Sequence, residues 1–272
     1  MALGEDDGVT GVELVVAGLI VGVLIGATGM GAGSLMAPVL ISVFGVSAVS
    51  AVATDLLYSS GTKLVGGFRH YKLGTANTEL ARWMAIGSVP AAIAGVFTLH
   101  LMASARGTAI DATLKRAIAV ALILVAVAVV VRTFFTIRAL WTHSIPRDGE
   151  LTRRHRVLAV VVGVVLGYVF GFTSVGAGAF FGMALILLFP LSTRRIVGTD
   201  LFHGAIVTVA AAVAVLFWLP MMHFESIGLL MVGSIPGILV GSQLMLKLPE
   251  KALRSSLASV LMLSGLKLLN VY

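Results

Sequence analysis

Two short glycine-rich stretches hold the residues best suited to bind a small ligand. The first covers 26–34 and the second 171–179, and each interrupts a long apolar tract. A membrane helix that unwinds exposes backbone N–H and C=O groups, which hydrocarbon tolerates only where protein or an aqueous cavity surrounds them. Where the chain restarts as a helix, its free N–H groups and positive dipole end favour an anion. The binding residues predicted on this ground are Thr28, Gly29, Gly31, Gly33, Ser34, Thr173, Ser174, Gly176 and Gly178.

The same stretches also admit a purely structural interpretation. Small residues spaced four apart let membrane helices pack closely without forming any site. The two stretches match in register and lie in the middle of their tracts. The sequence therefore favours a pair of facing breaks over packing alone.

Two acidic residues stand at matching positions beside apolar segments, Asp55 after Thr54 and Asp200 after Thr199. An ionisable residue within the bilayer is a candidate for proton coupling or for gating. The alternative is that each Thr-Asp pair begins a helix, where Thr caps the first turn and Asp complements the dipole.

Two further polar residues follow these aspartates along the predicted helices. Lys63 lies eight residues after Asp55, which is about 12 Å along a helix. There it would attract an anion, pair with Asp55 or extend its ammonium group to the membrane surface. His203 lies one turn after Asp200, and we expect it either to contact that carboxylate or to lie at the interface. Lys63, His203 and the two aspartates are assigned to coupling or gating.

The chain is internally duplicated. Residues 145 positions apart match at the two glycine-rich stretches and at the Thr-Asp-Leu triplets that contain Asp55 and Asp200. After one inserted residue, an offset of 146 pairs the Ser-x-Pro motif of Ser88 with that of Ser234. These serines are expected to satisfy carbonyls that the proline kinks set free. The predicted division is a first transmembrane repeat over 1–138, a cytoplasmic linker over 139–156 and a second transmembrane repeat over 157–272.

Composition places the chain in a membrane. Hydrophobic residues make up 58% of it and charged residues 11%, whereas a soluble domain carries about 25% charged residues. The tracts 11–44 and 157–191 are too long for one crossing of a hydrocarbon core about 30 Å thick. The basic residues lie in short loops, a pattern typical of a topology signal rather than of a nucleic-acid surface.

The predicted fold is an all-α integral membrane protein with two inverted-topology repeats of about four to five transmembrane helices each. Broken or re-entrant helices are expected at the glycine-rich stretches. Placing the basic loops in the cytoplasm requires five passages of the chain per half. Because five is an odd number, the two halves then have opposite orientations in the membrane, and the repeats are inverted. Because the arms after the breaks are only about ten residues long, eight spans plus two re-entrant elements is the alternative count.

The sequence carries no enzyme signature, so no catalytic residue, metal site or cofactor is predicted. It has no Walker A motif, no GxGxxG, no HExxH and no GxSxG. The chain contains no Cys, which excludes thiol catalysis and Cys-based metal sites.

The motifs around the two aspartates resemble those of the TauE/SafE group of sulfite and organosulfonate exporters. The resemblance covers nearly the whole chain and rests on the duplicated break and on the segments 53–56, 63–66, 195–203, 233–237 and 248–267. Many members of the family have Ser after the Thr, whereas this chain has Asp55 and Asp200 there. A titratable group thus stands where the family has a hydroxyl.

The resemblance implies a multi-pass protein of the bacterial inner membrane that exports a small sulfur-containing anion, either sulfite or an organosulfonate such as sulfoacetate. Alternating access by a secondary transporter is the expected mechanism. A passive anion channel and a non-transport membrane scaffold are the alternatives. The expected partners are the anion and the lipid bilayer, not nucleic acid, and a homo-oligomer is left open.

Overall fold

The computed structural model describes residues 11–28, 36–106, 109–141, 151–176, 178–219, 224–245 and 250–270. Within these ranges the chain forms ten α-helices and no β-strand, which confirms the all-α prediction. We call α1 to α5 the first half and α6 to α10 the second half. The helices are α1 (Gly11–Thr28), α2 (Met36–Ser42), α3 (Ala48–Lys72), α4 (Thr78–Arg106), α5 (Ala109–Trp141), α6 (Arg153–Thr173), α7 (Ala179–Leu188), α8 (Thr193–Trp218), α9 (Phe224–Met245) and α10 (Glu250–Asn270).

Helix length separates membrane spans from short arms. In the described part of the chain, four helices, α4, α5, α6 and α8, are long and apolar enough to cross a membrane. In contrast, α2 and α7 contain seven and ten residues, about 10 and 15 Å at about 1.5 Å per residue. Neither can cross a hydrocarbon core of about 30 Å as a helix. The short arms expected after the glycine-rich stretches are therefore present.

The two halves are held together by pairs of helices that cross between them. We call two helices mates when they match under the repeat, as α1 matches α6 and α4 matches α9. α1 packs along α9, and in the same way α6 packs along α4. Two further pairs join mates directly, α3 to α8 and α5 to α10, and α4 also packs against α8. The larger buried core consequently contains residues of both halves.

Glycines explain how closely the crossed pairs approach. A Cβ added at Gly167 of α6 would lie 2.5 Å from the carbonyl oxygen of Ser88 on α4, and one at Gly22 of α1 would lie 2.5 Å from that of Ser234 on α9. Both distances are far inside van der Waals contact, so only Gly allows these backbones to touch. Close packing of small residues, the structural alternative in the sequence, thus applies to these glycines. It also applies to Gly171, the first residue of the second stretch, where a Cβ would clash with the carbonyl oxygen of Ala92.

The second glycine-rich stretch is a true interruption. α6 ends at Thr173, and Ser174 follows in the left-handed conformation with φ 59°. Gly176 has φ 97°, a conformation that residues with a Cβ rarely adopt, and α7 begins at Ala179. For the first stretch, α1 ends at Thr28 and α2 begins at Met36, and residues 29–35 lie outside the described ranges.

After the interruption, α7 returns along α6. Its end is marked by Phe189, whose ring centroid lies 6.1 Å from that of His155 in the first turn of α6. Near its beginning, Phe181 meets His203 of α8 edge to face, with centroids 4.6 Å apart. The break therefore lies at the far end of α6, beside the buried middle of the protein.

Candidate functional site

Asp55 lies at the centre of a buried hydrogen-bonded group between α3 and the end of α6. Its carboxylate is fully buried, and its Oδ2 accepts a hydrogen bond of 2.6 Å from the hydroxyl of Ser174. Its Oδ1 accepts a bond of 3.2 Å from Ser59, one turn further along α3. The break after α6 thus supplies a hydroxyl directly to an aspartate of the other half.

The helix-cap interpretation of the two aspartates is wrong. The N-cap of α3 is Ser47, whose side chain accepts the N–H of Ser50 at 3.3 Å, and the N-cap of α8 is Ser192. Asp55 and Asp200 lie two turns inside their helices, and Asp200 is 7% exposed. Thr199 does not begin a helix either; its hydroxyl accepts the N–H of Asn77 at 2.8 Å, which ties α8 to the start of α4.

Lys63 is buried rather than extended to the membrane surface. Its side chain is 3% exposed, and its Nζ lies 5.6 Å from the ring centroid of Phe170 on α6. Within the part of the chain that the structure describes, Nζ makes no hydrogen bond. It interacts electrostatically with Asp200 and, more weakly, with Asp55. The buried ammonium group therefore lies against α6 and within electrostatic reach of an aspartate on α3 and another on α8.

His203 finds its hydrogen-bond partner on another helix rather than on its own. Its Nε2 lies 2.8 Å from the hydroxyl of Ser88 on α4, and the ring is completely buried. Its Nδ1 has no hydrogen bond to any described residue. The interfacial position expected from the sequence is wrong, because α4 packs against α8 at this depth and buries the ring. Neither ring nitrogen has a described hydrogen bond to Asp200, and a contact with that carboxylate stays a prediction.

Tyr58 repeats this contact in the other half. Its hydroxyl is hydrogen-bonded to Ser234 of α9, and both side chains are completely buried. Ser88 and Ser234, expected to satisfy carbonyls near the prolines, thus have their hydroxyls in bonds across the halves. Sequence reasoning missed this pair, although the repeat offsets of 145 and 146 map Tyr58 onto His203 and Ser88 onto Ser234.

Of the four binding residues predicted in the second break, Ser174 is the one whose side chain is seen to reach another helix. Thr173 Oγ1 donates to the carbonyl of Val169 at 2.7 Å and accepts the N–H of Val175 at 3.2 Å, so it caps its own helix. The carbonyl of Gly176 accepts the N–H of Phe180 at 3.0 Å, so this donor at the start of α7 is already bonded. Gly178 is the N-cap of α7.

Most of the binding residues predicted in the first break lie outside the described ranges. Gly29, Gly31, Gly33 and Ser34 lie outside the described residues, and Thr28 is described only as the end of α1. Their role in binding stays a prediction. Across the described ranges, no group of three or more His, Cys, Asp or Glu is placed to hold a metal ion.

Comparisons with known proteins agree on the class of protein. Residues 14–268 match the family model described as sulfite exporter TauE/SafE. The chain is 36% identical over 260 residues to the "Probable membrane transporter protein YjnA" of Bacillus subtilis (strain 168), a match covering 95% of this chain and 99% of that protein. It is 21% identical over 250 residues to the "Probable membrane transporter protein YdhB" of the same organism, with 92% and 96% covered. No solved structure matches the chain.

Proposed function

The chain belongs to the TauE/SafE family of sulfite exporters, a family of membrane transporters, and on that premise we propose that it is a secondary transporter of a small sulfur-containing anion. The cargo is sulfite or an organosulfonate such as sulfoacetate. The protein is proposed to lie as a multi-pass protein in the bacterial inner membrane and to move the anion outward.

Lys63 is the single observation that carries this proposal. A cation within a membrane protein is costly to bury and is retained where it serves transport or pairs with another charge. Lys63 has three N–H donors, yet its Nζ makes no hydrogen bond to a described residue. The oxygens of a sulfite or sulfonate group are acceptors of matching charge. Lys63 is therefore proposed as the positive contact of the anion, with Ser174 as a neutral donor nearby.

Alternating access is supported by the way the halves are joined. Each crossed helix pair has a mate under the repeat, and α3 and α8 pack together at the centre. Because the large helix pairs all join one half to the other, rocking of two inverted repeats would shift these pairs around a shared site. We propose that the first repeat, 1–138, and the second, 157–272, move in this manner. α5 ends at Trp141 and α6 begins at Arg153, and both of these helix ends fall inside the stretch 139–156 that we assign to the linker.

Solute counterflow tests this function. Purified protein is reconstituted in liposomes loaded with unlabelled sulfoacetate or sulfite, and uptake of the labelled anion from outside is measured against its concentration. A secondary transporter gives saturable uptake that the internal anion accelerates. Uptake that rises linearly and ignores the internal anion would indicate the channel, and no protein-dependent uptake of either anion would contradict the proposed cargo.

A further inference from the structure

We propose that Asp55 is an internal competitor of the transported anion: its carboxylate occupies the Ser174 and Ser59 hydroxyls until an anion displaces it, and its return expels the anion. This inference rests on the proposed function and adds to it the group that makes binding reversible. Asp55 would thus be the residue that keeps affinity low enough for release.

The geometry shows that Asp55 already uses the donors an anion would need. Ser174 donates to Oδ2 at 2.6 Å and Ser59 to Oδ1 at 3.2 Å, so each carboxylate oxygen has its own hydroxyl. Ser174 is held at φ 59°, an uncommon conformation for a residue with a Cβ. The break after α6 therefore aims this hydroxyl at the carboxyl group of Asp55.

The charges around the site oppose an additional anion while Asp55 stays in place. The ionisable side chains of this buried group are Tyr58 and Lys63 of α3 together with Asp200 and His203 of α8. When Asp55 and Asp200 are both ionised, their two negative charges exceed the single positive charge of Lys63. The net formal charge of these two aspartates and the lysine is then already negative. An anion that reaches Lys63 adds a further negative charge at low dielectric, which is unfavourable unless one carboxylate withdraws or is neutralised.

The repeat places different residues at the positions that match the two hydroxyl donors of Asp55. At the offset of 145, Ser59 corresponds to Gly204 and Ser174 to Gly29, so the positions that match the two donors lack hydroxyls around Asp200. Lys63 likewise corresponds to the neutral Thr208. The duplication has therefore kept the aspartate in both halves, whereas the positions that match Ser59, Ser174 and Lys63 carry other residue types. The two halves would thus contribute differently to one anion site.

The test compares anion affinity and turnover in Asp55→Asn, Ser174→Ala and the double variant. Asn keeps the shape of the side chain and removes the charge. We expect Asp55→Asn to bind sulfoacetate or sulfite about tenfold more tightly. Removing one charged competitor should improve the free energy of anion binding by about as much as one hydrogen bond to a charged group contributes. We also expect kcat to fall, because nothing then drives release. The double variant should lose the gain in affinity, since the donor itself is gone.

Glu79→Gln is the matched control, because it makes the same chemical change at a half-exposed ion pair with Arg156. Size-exclusion profiles and thermal unfolding of each variant establish that it is folded, and equilibrium binding to purified protein measures affinity independently of flux. Unchanged or weakened binding by folded Asp55→Asn overturns the competitor role, and so does a double variant that keeps the gain. If the wild type transports the anion in that case, the proposed function stands without this inference. Absence of both binding and flux in the wild type and in Asp55→Asn contradicts both proposals.

Discussion

The Nε2 atom of His203 lies 2.8 Å from the hydroxyl of Ser88, and this contact joins α8 of the second half to α4 of the first. Its counterpart under the repeat is the hydrogen bond between Tyr58 of α3 and Ser234 of α9, which joins the halves in the opposite sense. Tyr58 lies on α3 with Asp55 and Lys63, and His203 lies on α8 with Asp200. Ser88 and Ser234 each lie two residues before a proline inside a helix. Through these serines, α4 holds α8 and α9 holds α3 across the two halves.

Removing either serine hydroxyl should destabilise the protein. Ser88→Ala leaves the buried ring of His203 without its observed partner, and Ser234→Ala does the same to Tyr58. We expect each to lower the free energy of unfolding by about 1–3 kcal/mol, measured as a lower midpoint in detergent. Ser60→Ala is the control, because that hydroxyl bonds only the carbonyl of Leu57 on its own helix among the contacts described. A loss no larger than that of the control would mean that the bonds across the halves contribute little.

Adding one methyl group at Gly167 should push α6 away from α4. The new Cβ would lie 2.5 Å from the carbonyl oxygen of Ser88 and 2.6 Å from its Cα, and backbone atoms cannot turn aside as side chains do. We expect Gly167→Ala to cost about 1–3 kcal/mol and to reduce the yield of folded protein. At Gly228, an added Cβ has nothing within 4 Å, so Gly228→Ala should behave as wild type. Equal yields and midpoints for the two variants would contradict the described packing of α6 on α4.

Gly176 is expected to be needed for the shape of the break. Its φ of 97° strains any residue with a Cβ, and a Cβ there would also contact the ring of Phe180. Gly176→Ala should shift Ser174 from Asp55 and reduce anion flux severalfold. Gly45→Ala is the matched control, because Gly45 also has a positive φ, 68°, but open space around it. If both variants lose flux equally, backbone strain alone explains the effect and the break has no special role.

Local patterns in the sequence predict much of this structure but not its contacts between distant helices. The interruption at Gly176, the short arm that follows it and the matching positions of Asp55 and Asp200 all follow from composition and from the repeat. The position of Asp55 two turns inside α3 does not follow from these patterns. Ser47 and Thr54 are both good helix caps, and only tertiary packing selects Ser47. The sequence likewise allows Lys63 to reach the membrane surface. Its burial depends on α6 and α8, which lie about one hundred residues or more away in sequence.

The partner of His203 shows what the repeat could have added. The spacing on α8 points to Asp200, since residues three apart share a helix face. Only the crossing of α4 over α8 brings Ser88 to the ring. Under the repeat, Tyr58 matches His203 and Ser88 matches Ser234. The bond between His203 and Ser88 therefore has an equivalent in the bond between Tyr58 and Ser234.

The central claim is that the buried ammonium group of Lys63 holds the transported anion, and anion counterflow by Lys63 variants in proteoliposomes tests it most directly. Lys72→Met is the control, since Lys72 lies exposed at the end of the same helix. We expect Lys63→Met to lose at least about tenfold in the rate at low anion concentration, because one charge-assisted contact is worth about 1.5–3 kcal/mol. Lys63→Arg should retain more activity than Lys63→Met, and Lys72→Met should match the wild type. Folded Lys63→Met protein that transports sulfoacetate or sulfite at the wild-type rate would contradict the account.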